Sequence, residues 1–240
     1  MATTDSVAQP SDDGTLVLGA VLPRGGVAPE LGASLRAAVD LAVSEINAAG
    51  GVLGQPVKLI VRDEGDSAAS ALVAVQELDQ LGVDAIIGPA SSVNLLTTLG
   101  ATVSDGVLTC SPTASALSLD DFPDNGLLLR TVPSDSLQAT AIARVVEQSG
   151  SASATLVYLD DAYGRPFAEA TAAAMRANGT TVAASVGFKA GADSIEAAVS
   201  AVVETSPQVV VVIADKSTGP AIISAIDDAS GATKIGRAHV

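Results

Sequence analysis

The sequence is poor in the residue types on which enzyme and metal chemistry most often depend. Its 240 residues include one histidine, one cysteine and no tryptophan, and aromatic residues make up 2% of the chain. A single cysteine excludes an internal disulfide and a cluster of thiolate metal ligands. Because the only histidine is His239, no Ser–His or Cys–His catalytic pair is predicted in the body of the fold. We therefore expect a protein that is not an enzyme and has no catalytic residue and no metal site.

Basic residues are also scarce. The chain has 12 Lys and Arg residues against 27 Asp and Glu residues, which gives a formal net charge of −15. Such a charge repels nucleic acid and anionic membrane surfaces. The glycine-rich motifs that bind nucleotide phosphates are absent as well. We expect no nucleic-acid partner and no cofactor.

Long apolar segments are missing too. No run reaches the length of a transmembrane helix, and the first residues lack the basic start and apolar region of a signal peptide. The polar stretch Met1–Gly14 shows no periodicity and is predicted to be a disordered leader. We expect membrane contact only through a lipid anchor attached in a segment upstream of this sequence.

The chain does contain a regular alternation of strand and helix patterns. Hydrophobic residues make up 48% of it and are mostly aliphatic, which suits β-branched strands covered by Ala-rich helices. The predicted fold class is α/β, with two Rossmann-like lobes of parallel strands over residues 15–131 and 132–233. The extended stretch Leu127–Pro133 is predicted to carry the chain to the second lobe. In such folds, ligands bind beyond the carboxyl ends of the strands, and the crevice between two lobes is the natural site.

One of these strand ends has the composition of a binding loop. Asp84 to Ile87 is predicted to be a buried strand, which Gly88 and Pro89 end before Ser91 or Ser92 caps a helix. A hydroxyl beside free N–H groups at a helix start is a suitable site for a carboxylate. The alternative is that both serines only cap the helix.

Acidic residues cluster at two other strand ends. Asp63–Asp66 holds three carboxylates, and we favour a solvated loop that caps the next helix through Asp66 or Ser67 over a metal site. Asp160–Asp161 is predicted to face water, although a doubly wound enzyme using this pair is the rival class of protein. Asp193 and Glu196 predict a capping box before a helix.

Five sequence blocks follow one another at characteristic spacing: Glu45–Val57, Ile86–Ser92, Ser111–Ser115, Arg130–Asp135 and Asp160–Gly164. In order and spacing, over about residues 15–233, they resemble the branched-chain amino-acid (Leu/Ile/Val) type of ABC transporter substrate-binding protein. The resemblance implies a periplasmic binding protein type 1 fold whose lobes close on a ligand by hinge bending. It also implies an extracytoplasmic protein that captures a small amino-acid-like solute and delivers it to an ABC transporter permease. The alternative is the ligand-binding module of a sensory receptor with the same fold.

The resemblance implies a ligand site made of six residues: Leu31, Ser91, Ser92, Ala114, Ser115 and Tyr163. Ser92 matches the serine whose hydroxyl receives the ligand α-carboxylate, and the Ala114 carbonyl matches a group that receives the α-ammonium. Ser115 stands where the family usually has threonine. Leu31 stands where some relatives have an aromatic residue, so we expect an altered specificity pocket.

The remaining predicted ligand residue belongs to the second lobe. Tyr163 matches the tyrosine that reaches the ligand from that lobe. The alternative interpretation is a partly buried aromatic side chain that packs at a strand end.

Family members also continue well past the length of this sequence, so the fold is predicted to be incomplete at its C-terminus. Residues 234–240 can be encoded by the start of a widely used sequencing adapter, and we predict that this tail is foreign to the protein. An acidic residue that pairs with the α-ammonium in the family is missing, which predicts weakened ligand binding. A nucleotide record without an adapter match would contradict the prediction of a foreign tail.

Overall fold

The computed structural model describes residues 14–25, 29–230 and 234–239, with backbone alone for Ser230 and for the last range. Most of the predicted leader and the last residue of the predicted tail, Val240, lie outside the described residues. The chain divides into two compact units. Unit 1 contains Met1–Ser115 and Phe122–Val132, and unit 2 contains Ala116–Asp121 and Pro133–Val240.

Unit 1 is built from alternating strands and helices. In chain order its elements are β1 (Val17–Leu22), α1 (Pro29–Ala48), β2 (Lys58–Asp63), α2 (Ala68–Gln80), β3 (Ala85–Ile87), α3 (Ser92–Ser104), β4 (Leu108–Ser111) and β5 (Leu128–Arg130). The five strands form one parallel sheet in the order β2-β1-β3-β4-β5. Because the strands are parallel, the loops that follow β2, β3 and β4 emerge at the same edge.

The core of unit 1 lies where α2 packs on the sheet. Val75 and Leu78 of α2 contact Val21 of β1 and Ile86 of β3, and all four side chains are at most 2% exposed. The helix begins at Ser67, whose hydroxyl accepts a hydrogen bond from the Ser70 N–H, so one of the two predicted caps is confirmed.

Helix α1 packs differently from α2. Gly32 is its only buried residue, and an added Cβ there would lie 1.7 Å from the Pro23 carbonyl oxygen. Only glycine therefore lets the first turn of α1 approach the chain that leaves β1. Leu41 is 59% exposed, which shows how little of this helix is covered in the described part of the chain.

Unit 2 repeats the alternation. It contains a short 3₁₀ helix (Leu117–Leu119), α4 (Asp135–Gln148), β6 (Ser153–Leu159), α5 (Gly164–Ala177), β7 (Thr181–Phe188), α6 (Ala192–Thr205), β8 (Val209–Ala214), α7 (Gly219–Ser230) and β9 (Lys234–His239). The four strands are parallel in the order β7-β6-β8-β9. β9 lies in the stretch whose foreign origin stays a prediction.

The continuous apolar run of β8 explains its place in the sheet. All six of its residues are buried. Val211 and Ile213 pack on one face with Phe167 of α5, whereas Val210 and Val212 pack on the other. Helices cover both faces of this strand, as expected for a β-branched run inside a parallel sheet.

The fold class predicted from the alternation is confirmed, but two local predictions need correction. Leu128–Arg130 is a strand of the unit 1 sheet, paired with β4, rather than only a connecting segment. In the first turn of helix α6, the Ser194 hydroxyl accepts a hydrogen bond from the Lys189 N–H. The helix begins after Gly191 without a side-chain cap, so Asp193 lies inside the first turn instead of capping it. The predicted capping box of Asp193 and Glu196 is therefore wrong. Within residues 14–25 and 29–230, no helix is long and apolar enough to cross a membrane.

Candidate functional site

The loop between β3 and α3 places two of the predicted ligand residues at the carboxyl edge of the unit 1 sheet. Ser91 is the N-cap of α3, and its hydroxyl accepts a hydrogen bond from the Asn94 N–H at 3.4 Å. Ser92 is the first residue of the helix and is 7% exposed. The predicted cap at Ser91 is confirmed, and the Ser92 side chain lies in the first turn beside it.

A buried acid holds this loop from one side. The Glu64 side chain follows β2 and is 2% exposed. One carboxylate oxygen accepts the Ala90 N–H at 2.8 Å, and the other accepts the Ser91 N–H and the Asn94 side-chain amide, both at 2.9 Å. The prediction of a solvated acidic loop is therefore wrong for Glu64, whose carboxylate occupies the N–H groups of Ala90 and Ser91 just before α3.

Burial of this carboxylate changes its acidity. Burial raises the pKa of Glu64 above its ordinary value, and the neighbouring Asp63 carboxylate adds to the increase. The hydrogen bonds from Ser91, Asn94 and Ala90 lower the pKa and so act in the opposite direction. Desolvation is the larger effect because water cannot reach the charge.

Hydroxyl groups from the loop after β4 hold the same segment from the other side. The Ser111 hydroxyl donates to the Pro89 carbonyl oxygen at 2.6 Å, and the Thr113 hydroxyl donates to the Ala90 carbonyl oxygen at 2.7 Å. The Gly88 N–H donates to the Cys110 carbonyl oxygen at 2.8 Å. These bonds join the loops after β3 and β4 into one hydrogen-bonded unit.

The two predicted ligand residues of the second loop, Ala114 and Ser115, lie directly beyond these contacts. Ala114 is fully buried, and its N–H donates to the Ser111 hydroxyl at 3.2 Å. Ser115 is 8% exposed. The structure thus brings the four predicted residues Ser91, Ser92, Ala114 and Ser115 to one edge of unit 1.

Leu31 is held away from the core of unit 1. It lies in the first turn of α1 and is 41% exposed. A groove of about 160 Å³ lies next to this turn, between the end of β1 and α1, and Arg24 and Arg36 line it. Ligand pockets usually enclose about 300–1,000 Å³, so this groove alone is too small for one.

Tyr163 belongs to unit 2, where it is the N-cap of α5. Its ring packs edge-on against Phe167 with the ring centres 5.8 Å apart. Its hydroxyl oxygen is buried and has no hydrogen-bond partner within the described residues. A buried hydroxyl without a partner costs about 1–3 kcal/mol, so this atom has unused capacity to bind a ligand.

The charge state of Tyr163 is set by its surroundings. Burial raises the pKa of the Tyr163 hydroxyl, and the negative charges of Asp135 and Asp161 raise it further. The phenol is therefore neutral and can donate a hydrogen bond at any physiological pH. Asp161 also fixes the turn, since one of its carboxylate oxygens accepts the N–H groups of Tyr163 and Gly164. Its neighbour Asp160 pairs with Arg165 and is not a free acid.

The loop after β8 shows how unit 2 uses another acid. Asp215 accepts hydrogen bonds from the N–H and hydroxyl groups of Ser217 and Thr218 through one carboxylate oxygen. Although burial acts to raise the pKa of Asp215, these bonds hold it below its ordinary value. Its contacts are those of a residue that caps the start of α7.

Sequence reasoning missed Glu64 as part of the site. Its position after a strand was the available signal, because carboxyl ends of neighbouring parallel strands meet at one sheet edge. Ser111 and Thr113 belong to the sequence block Ser111–Ser115, but the block does not indicate that they donate to the Pro89 and Ala90 carbonyl groups. In residues 14–25 and 29–230, no group of three histidine, cysteine or acidic side chains is arranged to hold a metal ion.

Comparison with known proteins places these loops in a wider context. The family model described as "Periplasmic binding protein" matches residues 15–236. Leu/Ile/Val-binding protein BraC3 of Rhizobium johnstonii is 29% identical over 169 residues, which are 69% of this chain and 45% of that protein. The chemotactic signal transduction system substrate-binding protein BasB of Halobacterium salinarum is 29% identical over 220 residues, 87% of this chain and 52% of that protein. The chain thus spans about half the length of these curated relatives.

A solved structure shows the same fold. The branched-chain amino acid transporter substrate-binding protein LivJ from Streptococcus pneumoniae, in complex with isoleucine, superposes with a TM-score of 0.77 at 24% sequence identity. The match covers 93% of this chain and 64% of that one. The predicted periplasmic binding protein type 1 architecture is confirmed by this likeness.

Proposed function

The chain belongs to the periplasmic binding protein family, and from this premise we propose that it binds a small amino-acid-like solute. BraC3 and LivJ, two of the proteins that it resembles, are named as binding proteins rather than enzymes, which agrees with the scarcity of catalytic residues. We further propose that it acts outside the cytoplasmic membrane and delivers the solute to an ABC transporter permease. Attachment through a lipid anchor stays a prediction.

The observation that carries this proposal is the pair of hydroxyl-rich loops at one edge of the unit 1 sheet. The 2.7 Å hydrogen bond from Thr113 to the Ala90 carbonyl oxygen joins them. Ser91 and Ser92 begin α3 on one loop, and Ser115 lies on the other. Short side chains with hydroxyl donors, fixed on a rigid sheet edge, suit the recognition of a small polar molecule.

Each proposed ligand residue has a definite task. The Ser92 hydroxyl, with Ser91 beside it, donates to the solute carboxylate, and the first turn of α3 favours negative charge there. The Ala114 carbonyl oxygen accepts from the solute ammonium, and Ser115 supplies a second hydroxyl. The neutral Tyr163 phenol donates a further hydrogen bond. Leu31 contributes an apolar contact that sets side-chain specificity.

These contacts supply favourable binding free energy against the cost of association, although the missing acidic partner of the ammonium is expected to weaken binding. A dissociation constant of 1 μM corresponds to about −8.2 kcal/mol. Hydrogen bonds to a charged group contribute about 1.5–3 kcal/mol each, so three or four of them supply most of this free energy. The proposal therefore needs no catalytic or metal chemistry.

The direct test is a ligand screen of the 240-residue chain by thermal shift, followed by calorimetry of every hit. The panel contains the twenty amino acids, their amides, and small aromatic acids such as benzoate. We expect an amino acid or a close analogue to raise the melting temperature in a concentration-dependent way. A panel without a single hit, measured on folded protein, would contradict the proposal.

A second candidate function is ligand recognition for a sensory receptor. The likeness to BasB, named as part of a chemotactic signal transduction system, supports it. The same solute site serves both functions, because a fold does not fix the use made of its ligand. A neighbouring gene for a permease and an ATPase would favour transport, whereas a neighbouring gene for a membrane receptor with a signalling domain would favour sensing.

A further inference from the structure

Glu64 has a place in the unit 1 site that the predicted ligand residues do not explain. We propose that Glu64 is a positioning residue of the solute site: its buried carboxylate fixes the segment Gly88–Ser91, so that the solute is met by serine hydroxyls. The site itself rests on the proposed function. The carboxylate contacts three donors from this loop and the first turn of α3, namely Ala90, Ser91 and Asn94.

The two carboxylate oxygens of Glu64 have different hydrogen-bond partners. One accepts the Ala90 N–H, and the other accepts the Ser91 N–H together with the Asn94 amide. A carboxylate offers acceptors at both oxygens, whereas a glutamine side chain presents an NH₂ group at one of them. Glutamine would therefore turn a donor toward one of the loop N–H groups and leave that group without its acceptor.

The opposite side of the segment Gly88–Ser91 is held by two hydroxyl groups. The Pro89 and Ala90 carbonyl oxygens accept hydrogen bonds from the Ser111 and Thr113 hydroxyls at 2.6 and 2.7 Å. The main chain of Pro89 and Ala90 and the Ser91 N–H are thus all engaged within the protein. A solute that reaches this loop finds the main chain occupied and the side-chain hydroxyls in fixed positions.

The start of α3 also acts on the site electrostatically. The start of a helix carries partial positive charge, and an acid placed there is stabilised by it. The Glu64 carboxylate bonds the N-cap Ser91 and Asn94 of the first turn, so it already occupies part of this field. Recognition of a solute carboxylate then depends on the geometry of neutral hydroxyl donors more than on net charge, and that geometry depends on Glu64.

The test compares Glu64→Gln with the control Asp66→Asn in the 240-residue chain. Asp66 is exposed on the same loop, so the control removes a carboxylate from the same region without touching the segment. Hydrogen exchange of the Ala90 and Ser91 amides reports on the segment, and exchange of the Val211 amide in unit 2 reports on the rest of the chain. Calorimetry with L-leucine as the probe reports on the site.

In the Glu64→Gln variant we expect the Ala90 or the Ser91 amide, whichever faces the new NH₂ group, to exchange about tenfold faster or more, since one lost hydrogen bond of about 1.4 kcal/mol gives a factor of ten. The Val211 amide should exchange at the wild-type rate, and Asp66→Asn should stay within twofold of wild type for all three amides. L-Leucine affinity should fall by a similar factor in the Glu64→Gln variant alone. Unchanged protection of Ala90 and Ser91 would overturn the proposal, as would faster exchange with unchanged affinity.

A second variant covers the case in which Glu64→Gln fails to fold. Asn94→Ala removes one of the three donors and leaves the carboxylate and both loop N–H groups in place. A smaller but selective acceleration at Ser91 is expected, and its absence would contradict the proposal. If wild-type protein does not bind L-leucine or any other panel member, the proposed function fails, while the exchange data still decide whether Glu64 fixes the segment.

Discussion

Two loops that carry predicted ligand residues satisfy their polar groups in opposite ways. In unit 1, the segment Gly88–Ser91 is hydrogen-bonded from both sides, by the Glu64 carboxylate and by the Ser111 and Thr113 hydroxyls. In unit 2, Asp161 fixes the turn that precedes α5, but the buried Tyr163 hydroxyl has no partner within the described residues.

The difference shows two ways of preparing a residue for ligand binding. A fully bonded loop keeps its hydroxyls in one geometry, so little conformational entropy is lost when a solute binds. An unpartnered hydroxyl instead lowers the stability of the free protein and regains that free energy when a ligand accepts its hydrogen bond. We expect mutations of the unit 1 loop to lower stability and mutation of Tyr163 to raise it.

The largest effect should come from the glycines that let each loop pass close to a strand. An added Cβ at Gly88, where φ is +101°, would lie 1.9 Å from the Val21 carbonyl oxygen, and one at Gly164 would lie 2.1 Å from that of Leu159. Gly88→Ala and Gly164→Ala should each lower the free energy of unfolding by about 3 kcal/mol or more, because main chain must move. Urea denaturation measures this change.

The control for these variants is a glycine with open space around it. Gly100 lies in α3 with no atom within 4 Å of an added Cβ. Gly100→Ala should raise the free energy of unfolding by about 0.5–1 kcal/mol, since alanine favours helix. A loss of stability as large as that of Gly88→Ala would contradict the steric argument.

A smaller loss of stability should follow when a hydrogen bond that holds the unit 1 loop is removed. Ser111 is fully buried, donates to the Pro89 carbonyl oxygen and accepts from the Ala114 N–H. Ser111→Ala leaves both main-chain groups without this partner, so unfolding should cost about 1–3 kcal/mol less. The exposed Ser44 in α1 supplies the control, and Ser44→Ala should stay within about 0.5 kcal/mol of wild type. Equal effects of the two variants would argue against a held loop.

A smaller effect of opposite sign is expected in unit 2. Tyr163→Phe removes the unpartnered hydroxyl, so the ligand-free protein should gain about 1 kcal/mol, the lower end of the cost of burying it, or about 2–4 °C in melting temperature. The same variant should bind the best panel hit more weakly. Tyr158→Phe, in β6, is the matched control and should change neither property by as much. Lower stability of Tyr163→Phe would mean that the hydroxyl has a stabilising partner.

The smallest expected effect is on the pH dependence of stability. Burial raises the pKa of Glu64 above the ordinary value of 4.5, so the folded state binds this proton more tightly than the unfolded state does. The contribution of this proton to the free energy of unfolding is fully present below pH 4.5 and is lost as the pH rises through the pKa of Glu64 in the folded state. Wild type, which we expect to be the more stable of the two, should therefore lose part of its advantage in free energy of unfolding over Glu64→Gln as the pH rises. A widening difference in urea denaturation from pH 4 to 7 would mean that the pKa is lowered.

Much of the fold could be predicted because it depends on local patterns. The β-branched run Val209–Ile213 predicts a central strand, and the small residues after Ile87 predict a turn and a helix cap at Ser91 or Ser92, of which Ser91 is the cap. The prediction failed where the first residue of a helix had to be identified. Helix α6 begins after Gly191, so Asp193 lies in its first turn and the expected capping box with Glu196 does not form.

The hydrogen bonds that hold the site could not be predicted, because they join residues that are distant in sequence. Nothing in the sequence around Glu64 distinguishes a buried carboxylate from a solvated one, because its donors at Ala90, Ser91 and Asn94 are distant in sequence. The unpartnered Tyr163 hydroxyl is likewise a property of packing. Neighbouring strand ends indicate which residues meet, but side-chain contacts decide which polar groups stay available.

The central claim is that the serine loop of unit 1 receives the carboxylate of a small solute. Calorimetric titration of wild type and Ser92→Ala with the best amino-acid hit and with its amide tests this claim most directly. We predict that Ser92→Ala weakens the amino acid about tenfold or more and the amide much less, since a hydrogen bond to a charged group contributes about 1.5–3 kcal/mol. Equal affinities of wild type and Ser92→Ala for the amino acid would contradict the claim.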